Sequence, residues 1–273
     1  MFTAVKRATK SVLISALFAR RPLALAPRLI DRLRMDPRFQ AGAAAPEARM
    51  LFTVLSRVGE SRAQLFQDLW VLEQTNFLRN GFFVEIGAFD GEHLSNTYLL
   101  ERTYGWSGIL AEPDPRHHEA LKKRTRSSIS DRCVAARSGE TVEFWAASVP
   151  ELSTIGRYAD SDYHASRRRQ HETHRLETIS LLDLLKAHGA PRVVDYLSID
   201  TEGSEYEILE AFDFGSHDVR LITVEHNHGP NQAKLHALLS AKGYRQTLPD
   251  WSQFEAWYVK QGSFAPGAGA ASP

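Results

Sequence analysis

The run Val84-Glu85-Ile86-Gly87-Ala88-Phe89-Asp90-Gly91 closes a short apolar, β-rich segment on a glycine. Gly87 removes the Cβ where a backbone must pass close to a ligand, and Gly91 permits a second tight turn. The run is not the dinucleotide fingerprint, because Ala88 and Phe89 follow Gly87 where G-x-G-x-x-G needs another glycine. Nor does it carry the Lys and Ser/Thr of a phosphate cradle. Acids flank the glycine instead, at Glu85 and Asp90. Carboxylates there repel a pyrophosphate and attract a cation.

Outward from this run, strand-like and helix-like segments alternate. A helix is expected over 64–78, and a second strand over 108–111 ends in Glu112. A helix follows over 115–126, then a third strand near 132–136, with 141–145 pairing beside it. Residues 181–188 read as a helix, and 192–199 as a strand ending in Asp200. A helix over 205–212 and a strand over 219–224 ending in Glu225 come next. A helix over 234–242 and an antiparallel pair, 244–248 with 254–259, close the chain. This alternation predicts an α/β, Rossmann-like fold with helices on both faces of a mostly parallel sheet. Ligands then bind outside the carboxyl ends of the strands.

Of the 273 residues, 43% are hydrophobic and 24% charged, enough for a core and incompatible with global disorder. Lys+Arg equals Asp+Glu at 33 each, which argues against a nucleic-acid partner. Cys133 is the sole cysteine, so neither a disulfide framework nor a cysteine zinc site can form. No apolar run approaches the ~18 residues of a spanning helix. The charge is uneven. Residues 1–49 hold ten basic residues against three acids, a net +7 that the rest of the chain balances. They read as a solvated basic extension, joined by a small-residue linker at 40–48, with peripheral membrane contact as the alternative role. A secretory signal is the minority reading, since Arg20 and Arg21 interrupt the apolar stretch and Pro27 follows the cleavage-like site. The expected organisation is an extension over 1–49, a catalytic domain over 50–261 and a disordered tail over 262–273, in a cytoplasmic protein.

Acids after the first two strands suit a cofactor with a cationic amino group and a sulfonium, S-adenosylmethionine. Glu112 stands where a carboxylate can accept both ribose hydroxyls. The stretch from about residue 61 to 258 resembles the FkbM family of S-adenosylmethionine-dependent methyltransferases. The resemblance rests on QLFQD (64–68), VEIGAFDG (84–91), HLSN (93–96), ILAEP (109–113) and LSIDTEGSE (197–205). It implies the class I methyltransferase fold, a seven-stranded sheet with a reversed last strand. It also implies that Glu85, Gly87, Asp90 and Gly91 line the methionine end, with Ser95 and Asn96 close by. Glu112 then takes the ribose, and Ala135 or Ala136 borders the adenine. The family's first block usually has glycine where this chain has Phe66.

The reacting end is expected opposite the glycine turn, at Asp200-Thr201-Glu202-Gly203. An alcohol acceptor must lose its proton, and Asp200 or Glu202 can hold the hydroxyl or take that proton. An Asp near its ordinary 3.9 is a feeble base unless its site shifts it. His226 and His228, after the fifth strand, are better placed by pKa. A divalent ion shared by Asp200 and Glu225 is a further, less favoured arrangement; oxygen ligands suit Mg²⁺, and His226 a softer metal. Residues 150–175, rich in Arg, His and Tyr, read as a lid over a polar acceptor. The family resemblance implies O-methylation of a small molecule or glycan, on a sugar hydroxyl. Two other readings are an NAD-dependent oxidoreductase, opposed by the missing fingerprint, and a non-catalytic binding module, opposed by the intact acids.

Overall fold

The computed structural model describes residues 45–264. Helices α1 (Pro46–Arg57) and α2 (Gln67–Gln74) lead into strand β1 (Phe82–Ile86). Helix α3 (Tyr98–Tyr104) returns the chain to β2 (Ser107–Ala111). The short α4 (His118–Leu121) precedes β3 (Ser127–Ser130). An excursion follows through β4 (Cys133–Ala135), β5 (Thr141–Ala147), β6 (Thr154–Ile155) and β7 (His171–Ser180). Then α5 (Leu181–Ala187), β8 (Val193–Ile199), α6 (Glu205–Ala211), β9 (Asp218–Glu225) and α7 (Gln232–Ala241) alternate. Strand β10 (Tyr244–Thr247), the single turn α8 (Pro249–Ser252) and β11 (Glu255–Lys260) complete the fold.

The main sheet has seven strands in the order β10-β11-β9-β8-β1-β2-β3. All pairs are parallel except those of β11, which runs antiparallel to both β9 and β10. Side chains alternate across it with period two. Phe83, Leu110, Tyr196, Leu221 and Trp257 face one core, shared with Met50 and Val54 of α1, Leu69 of α2 and Leu99 of α3. Val84, Ile109, Leu197, Ile222 and Tyr258 face the other, shared with Leu184 of α5, Leu209 of α6 and Leu239 of α7. These double-sided apolar strands are what a parallel sheet covered on both faces requires.

Several expectations need correction. The third strand of the main sheet is β3, not the segment near 132–136. Cys133–Ala135 instead enters a second, four-stranded sheet, β4-β7-β5-β6. Strand β5 does not pair with β4; the long β7 lies between them. The expected helix over 64–78 is only α2, because Phe66 before it is left-handed (φ 65°). The expected helix over 115–126 is a 3₁₀ turn at Pro115–His117 followed by the four residues of α4. Helix α1 begins at Pro46, inside the segment expected to be extension and linker, and buries Met50. Phe264, expected in a disordered tail, packs on the first core beneath Arg220. The remainder of the basic extension and of the tail lies outside the described residues. No helix among the described residues is long and apolar enough to cross a membrane.

Phe66 adopts itself the left-handed backbone that glycine favours, with its ring fully buried. Left-handed backbone costs an ordinary residue about 1–2 kcal/mol, while truncating a buried Phe costs about 3–5 kcal/mol. Burial wins, so Phe66→Gly should destabilise the protein by about 1–4 kcal/mol in urea unfolding. A stabilised variant would show that strain dominates.

Gly87 has φ +81°, and a Cβ there would sit 1.8 Å from the Asp200 carbonyl oxygen. Backbone cannot swing aside as a side chain can. Gly87→Ala should therefore cost about 2–5 kcal/mol, the sum of left-handed strain and overpacking. A melting temperature equal to wild type would contradict this contact.

Candidate active site

One cavity of about 430 Å³ opens at the carboxyl ends of β1, β2, β8 and β9. Phe89, Leu94, Glu202 and Asn227 on its wall all have positive φ, between 42° and 59°. Such strain in non-glycine residues collects at functional sites.

The β1 side is organised by Glu85. It accepts from Ser95 Oγ (3.0 Å), the Asn96 backbone N–H (2.6 Å) and Thr97 Oγ1 (2.5 Å). Arg124 anchors the same loop through the Gly91 carbonyl (2.6 Å) and Thr97 Oγ1 (3.0 Å). Burial pushes the Glu85 carboxyl above its usual range, and the Arg124 charge opposes this. Glu85 is thus committed to holding loop 95–97 at the cavity edge. Asn96 donates through Nδ2 to Ser198 Oγ (2.9 Å), while its buried Oδ1 has no protein partner.

Glu112, just beyond β2, accepts the Phe89 and Asp114 backbone N–H groups, one on each oxygen at 2.8 Å. Burial pushes its carboxyl up to about 8, against those two hydrogen bonds. Cys133 and Val134 form an apolar wall nearby.

The β8–β9 side is acidic. Asp200, Glu202 and Glu225 each place an oxygen within 4.8 Å of the others, a spacing open to a divalent ion. Glu202 already faces a cation, the Arg168 guanidinium at 2.6 Å, and accepts from Asn227 Nδ2 at 3.2 Å. Burial, with the Glu205 and Glu85 charges, pushes Asp200 up to about 7, and its hydrogen bond with Glu225 restrains the rise. Glu225 and Glu202 are also raised, first by burial and then by the Asp200 charge. Glu205 does not face the cavity; it accepts the Thr201 and Gly203 backbone N–H groups and shapes the loop that carries Glu202. Across the cavity, Glu255 accepts from Gln67 Nε2 (2.6 Å) and Trp257 Nε1 (3.0 Å).

Of the residues singled out in the sequence, Glu85, Gly87, Ser95, Asn96, Glu112, Asp200, Glu202 and Glu225 line the cavity, and Asp90, Gly91, Ala135, Ala136, His226 and His228 do not. Asp90 turns its Oδ1 onto the Glu92 and His93 backbone N–H groups. Gly91 packs against Leu121 and Arg124. Ala136 lies past the end of β4, and Cys133 and Val134 occupy the wall instead. His226 faces a separate cavity of about 70 Å³ with Gln232, and burial pushes its imidazole down to about 4. Residues the sequence did not single out join the wall: Gln64, Gln67, Ser198, Asn227 and Glu255. Gln64 and Gln67 sat within the QLFQD block. Glu255 gave no signal, because β11 joins the sheet from the far end of the chain.

The expected lid is mixed. Leu152, Ser153, Ile155, Tyr163, His164 and Arg167 reach the cavity. Arg157 pairs with Glu207 at the surface, and from His171 the chain belongs to β7.

The methyltransferase FkbM domain matches residues 85–246, more than half of the chain. No curated protein matches it. Among solved structures, the FkbM methyltransferase from Methylobacillus flagellatus is 12% identical at a TM-score of 0.41. That match covers 76% of this chain and 59% of the Methylobacillus protein, so the chain spans less than two thirds of that relative. The N-terminal domain of human METTL16 in complex with SAH is 14% identical, TM-score 0.38, covering 79% of this chain and 81% of that one. A TehB-like SAM-dependent methyltransferase from Corynebacterium glutamicum is 9% identical, TM-score 0.37, covering 81% and 100%. These structural likenesses are distant and support no residue-by-residue transfer. The sheet order, with its reversed β11, is that of the class I methyltransferase fold. With the domain match spanning the β1 turn, the Glu112 strand end and the acidic β8–β9 loops, the chain belongs to the FkbM family of S-adenosylmethionine-dependent methyltransferases.

Proposed function

We propose that this enzyme methylates a hydroxyl oxygen on a sugar, in a glycan or a glycosylated small molecule, with Asp200 as the base. One observation carries the reading: a half-buried carboxylate raised to about 7, bonded to Glu225, at the strand end whose backbone touches the Gly87 turn. S-adenosylmethionine supplies a methyl group on a sulfonium, already a good leaving group. The chain's own residues align the acceptor and exclude water. Oxygen as acceptor leaves one proton to be removed. A base near 7 is both unprotonated in part and basic enough to take it at neutral pH. The proton then rests on the Asp200–Glu225 pair, whose two carboxyls repel each other when both are ionised. His226 is replaced in this role by Asp200, because His226 faces away from the cavity.

The cofactor side fits the same reading. The unpartnered, buried Asn96 Oδ1 on the wall is an acceptor suited to an ammonium group. Glu112 keeps a second lone pair on each oxygen for ribose hydroxyls. Cys133 and Val134 offer the apolar face for adenine. Glu85 acts through loop 95–97, and Gly87 gives the backbone its passage. The sugar class is supported by the rim. Tyr163, 63% exposed, packs tilted against His164 with ring centroids 4.0 Å apart, beside Arg167. An aromatic face with nearby donors suits a polyhydroxylated ring.

Methyl-labelled S-adenosylmethionine offered with oligosaccharides tests the reading. Base-stable label on a sugar oxygen supports it, and base-labile label on a carboxyl overturns it. Turnover that survives EDTA keeps the step on the Asp200–Glu225 pair, whereas loss restored by Mg²⁺ moves it to a bound ion.

Asp200→Asn should lower turnover about 10²–10⁴-fold. Cofactor affinity should change by less than about 1 kcal/mol, since the bond with Glu225 can persist. Deprotonated Asp200 is the active form, so the wild-type rate should rise with pH through about 7. The variant should lack that limb. Wild-type turnover in the variant would make Asp200 a turn residue.

Glu112→Ala should weaken S-adenosylmethionine binding by about 1–3 kcal/mol, measured by calorimetry. Unchanged affinity would place the ribose elsewhere.

A further inference from the structure

Arg168 stands in a run of three arginines, yet its side chain is fully buried while Arg167 and Arg169 face solvent. A buried guanidinium is tolerated only when its N–H groups and its charge are matched. Here all five N–H groups are used. Nε donates to the Leu152 carbonyl (2.9 Å). Nη1 donates to the Ala159 carbonyl (3.2 Å) and Asp162 Oδ1 (2.8 Å). Nη2 donates to Asp162 Oδ2 (2.8 Å) and Glu202 Oε2 (2.6 Å).

Four of these bonds end on segment 152–162, which with the next few residues carries Leu152, Ile155, Tyr163 and His164 to the cavity wall. The fifth ends on Glu202, two residues past Asp200. Glu202 also accepts from Asn227, whose Oδ1 takes the Tyr163 hydroxyl at 3.4 Å. Thr154 Oγ1 adds a second tie, to the Glu202 carbonyl at 2.9 Å. One cation therefore closes a ring through the wall segment, the loop after β8 and the loop after β9. None of its partners lies on the β1–β2 side.

We propose that Arg168 is a positioning residue: it straps segment 152–168 to Glu202, setting the shape and charge of the acceptor side without touching the acceptor. This rests on reading the Asp200 side as the acceptor side. The strap has two separable parts. The five-donor fork fixes shape. The charge balances Glu202, which would otherwise stand as an uncompensated anion beside Asp200 and Glu225. The groups that face this pair are Glu85 on β1, Glu202 and Glu205 after β8, Glu255 on β11, and Asp162 and Tyr163 on the wall segment. Arg168 is the cation that opposes this charge at Asp200 and Glu202, while Arg124 acts on Glu85 and Arg167 on Tyr163.

Hydrogen exchange and carbon-13 carboxyl titration of the full chain, saturated with S-adenosylhomocysteine, test this. Arg168→Gln should reduce amide protection over 152–168 at least about tenfold and raise the Asp200 midpoint by about one pH unit. Affinity for S-adenosylhomocysteine should stay within about twofold, because the β1–β2 side is untouched. Arg168→Lys should lose protection, since an ammonium cannot reproduce the fork, but keep the midpoint. A merely structural arginine would not separate the two readouts. If Arg168→Gln does not fold, Glu202→Gln reads the same strap from its other end. It should lower the Asp200 midpoint by removing a negative neighbour, and loosen 152–168 while Arg168 keeps Asp162. Unchanged midpoint and protection in the variants overturn the proposal. So does loss of ligand affinity together with protection across β1 and β2. Wild-type protein that fails to bind S-adenosylhomocysteine would instead refute the cofactor reading.

Discussion

At the Gly87 turn two backbones press together. Gly87 passes so near the Asp200 carbonyl that a methyl group could not fit between them. The parallel ladder brings this about: the Asp200 N–H donates to the Ile86 carbonyl at 3.0 Å, and the Gly87 N–H to the Ala111 carbonyl at 2.9 Å. Three strand ends are thereby fixed within one cavity mouth. The groups proposed for the cofactor, at β1 and β2, and those proposed for the acceptor, at β8, owe their proximity to sheet register. Flexible loops are not asked to bring them together. A methyl transfer that depends on alignment is well served by such a base.

The second constraint is charge. Six carboxyls, the buried Glu85, Glu112, Glu202, Glu225 and Glu255 and the half-buried Asp200, meet around one cavity, and loss of water contact raises every one. Each is managed differently. Glu85 and Glu112 are wrapped by backbone and hydroxyl donors. Glu255 is held by an amide and an indole. Glu202 has Arg168. Only the Asp200–Glu225 pair is left to share a proton, which makes it the adjustable element. An acid cluster would be costly to fold were it not divided in this way.

The alternation of elements and the strand-end residues were legible in the sequence because they follow local period and local turns. Both sides of the main sheet, and Glu85, Gly87, Glu112 and Asp200 at its edge, were expected and are found. What was not legible depends on distant pairing. Strand β3 is short, with serine at three of its four positions, and is followed by the more apolar 133–135, so the apolar run drew attention to the wrong segment. Nothing in Arg167-Arg168-Arg169 marks the middle residue as buried; only the packing of 152–162 above Glu202 does. His226 and Asn227 are neighbours in sequence, and a left-handed turn at Asn227 sends one away from the cavity and the other to its wall. Phe66 shows the reverse case, a bulky residue in a glycine's conformation, held there by a core that residue type alone does not disclose.

The second sheet has a consequence for how such an enzyme can diversify. Strands β4 to β7 form an inserted lobe between β3 and α5, and its loops supply Pro150, Leu152, Ile155 and Tyr163 to one wall of the cavity. The strand ends of β1 and β2 belong to a different part of the chain. The lobe can therefore be rewritten, its loops lengthened or recoloured, while the β1–β2 half is left as it is. The toll on such drift falls at one point, since any new lobe must still present a partner for the acid at 202.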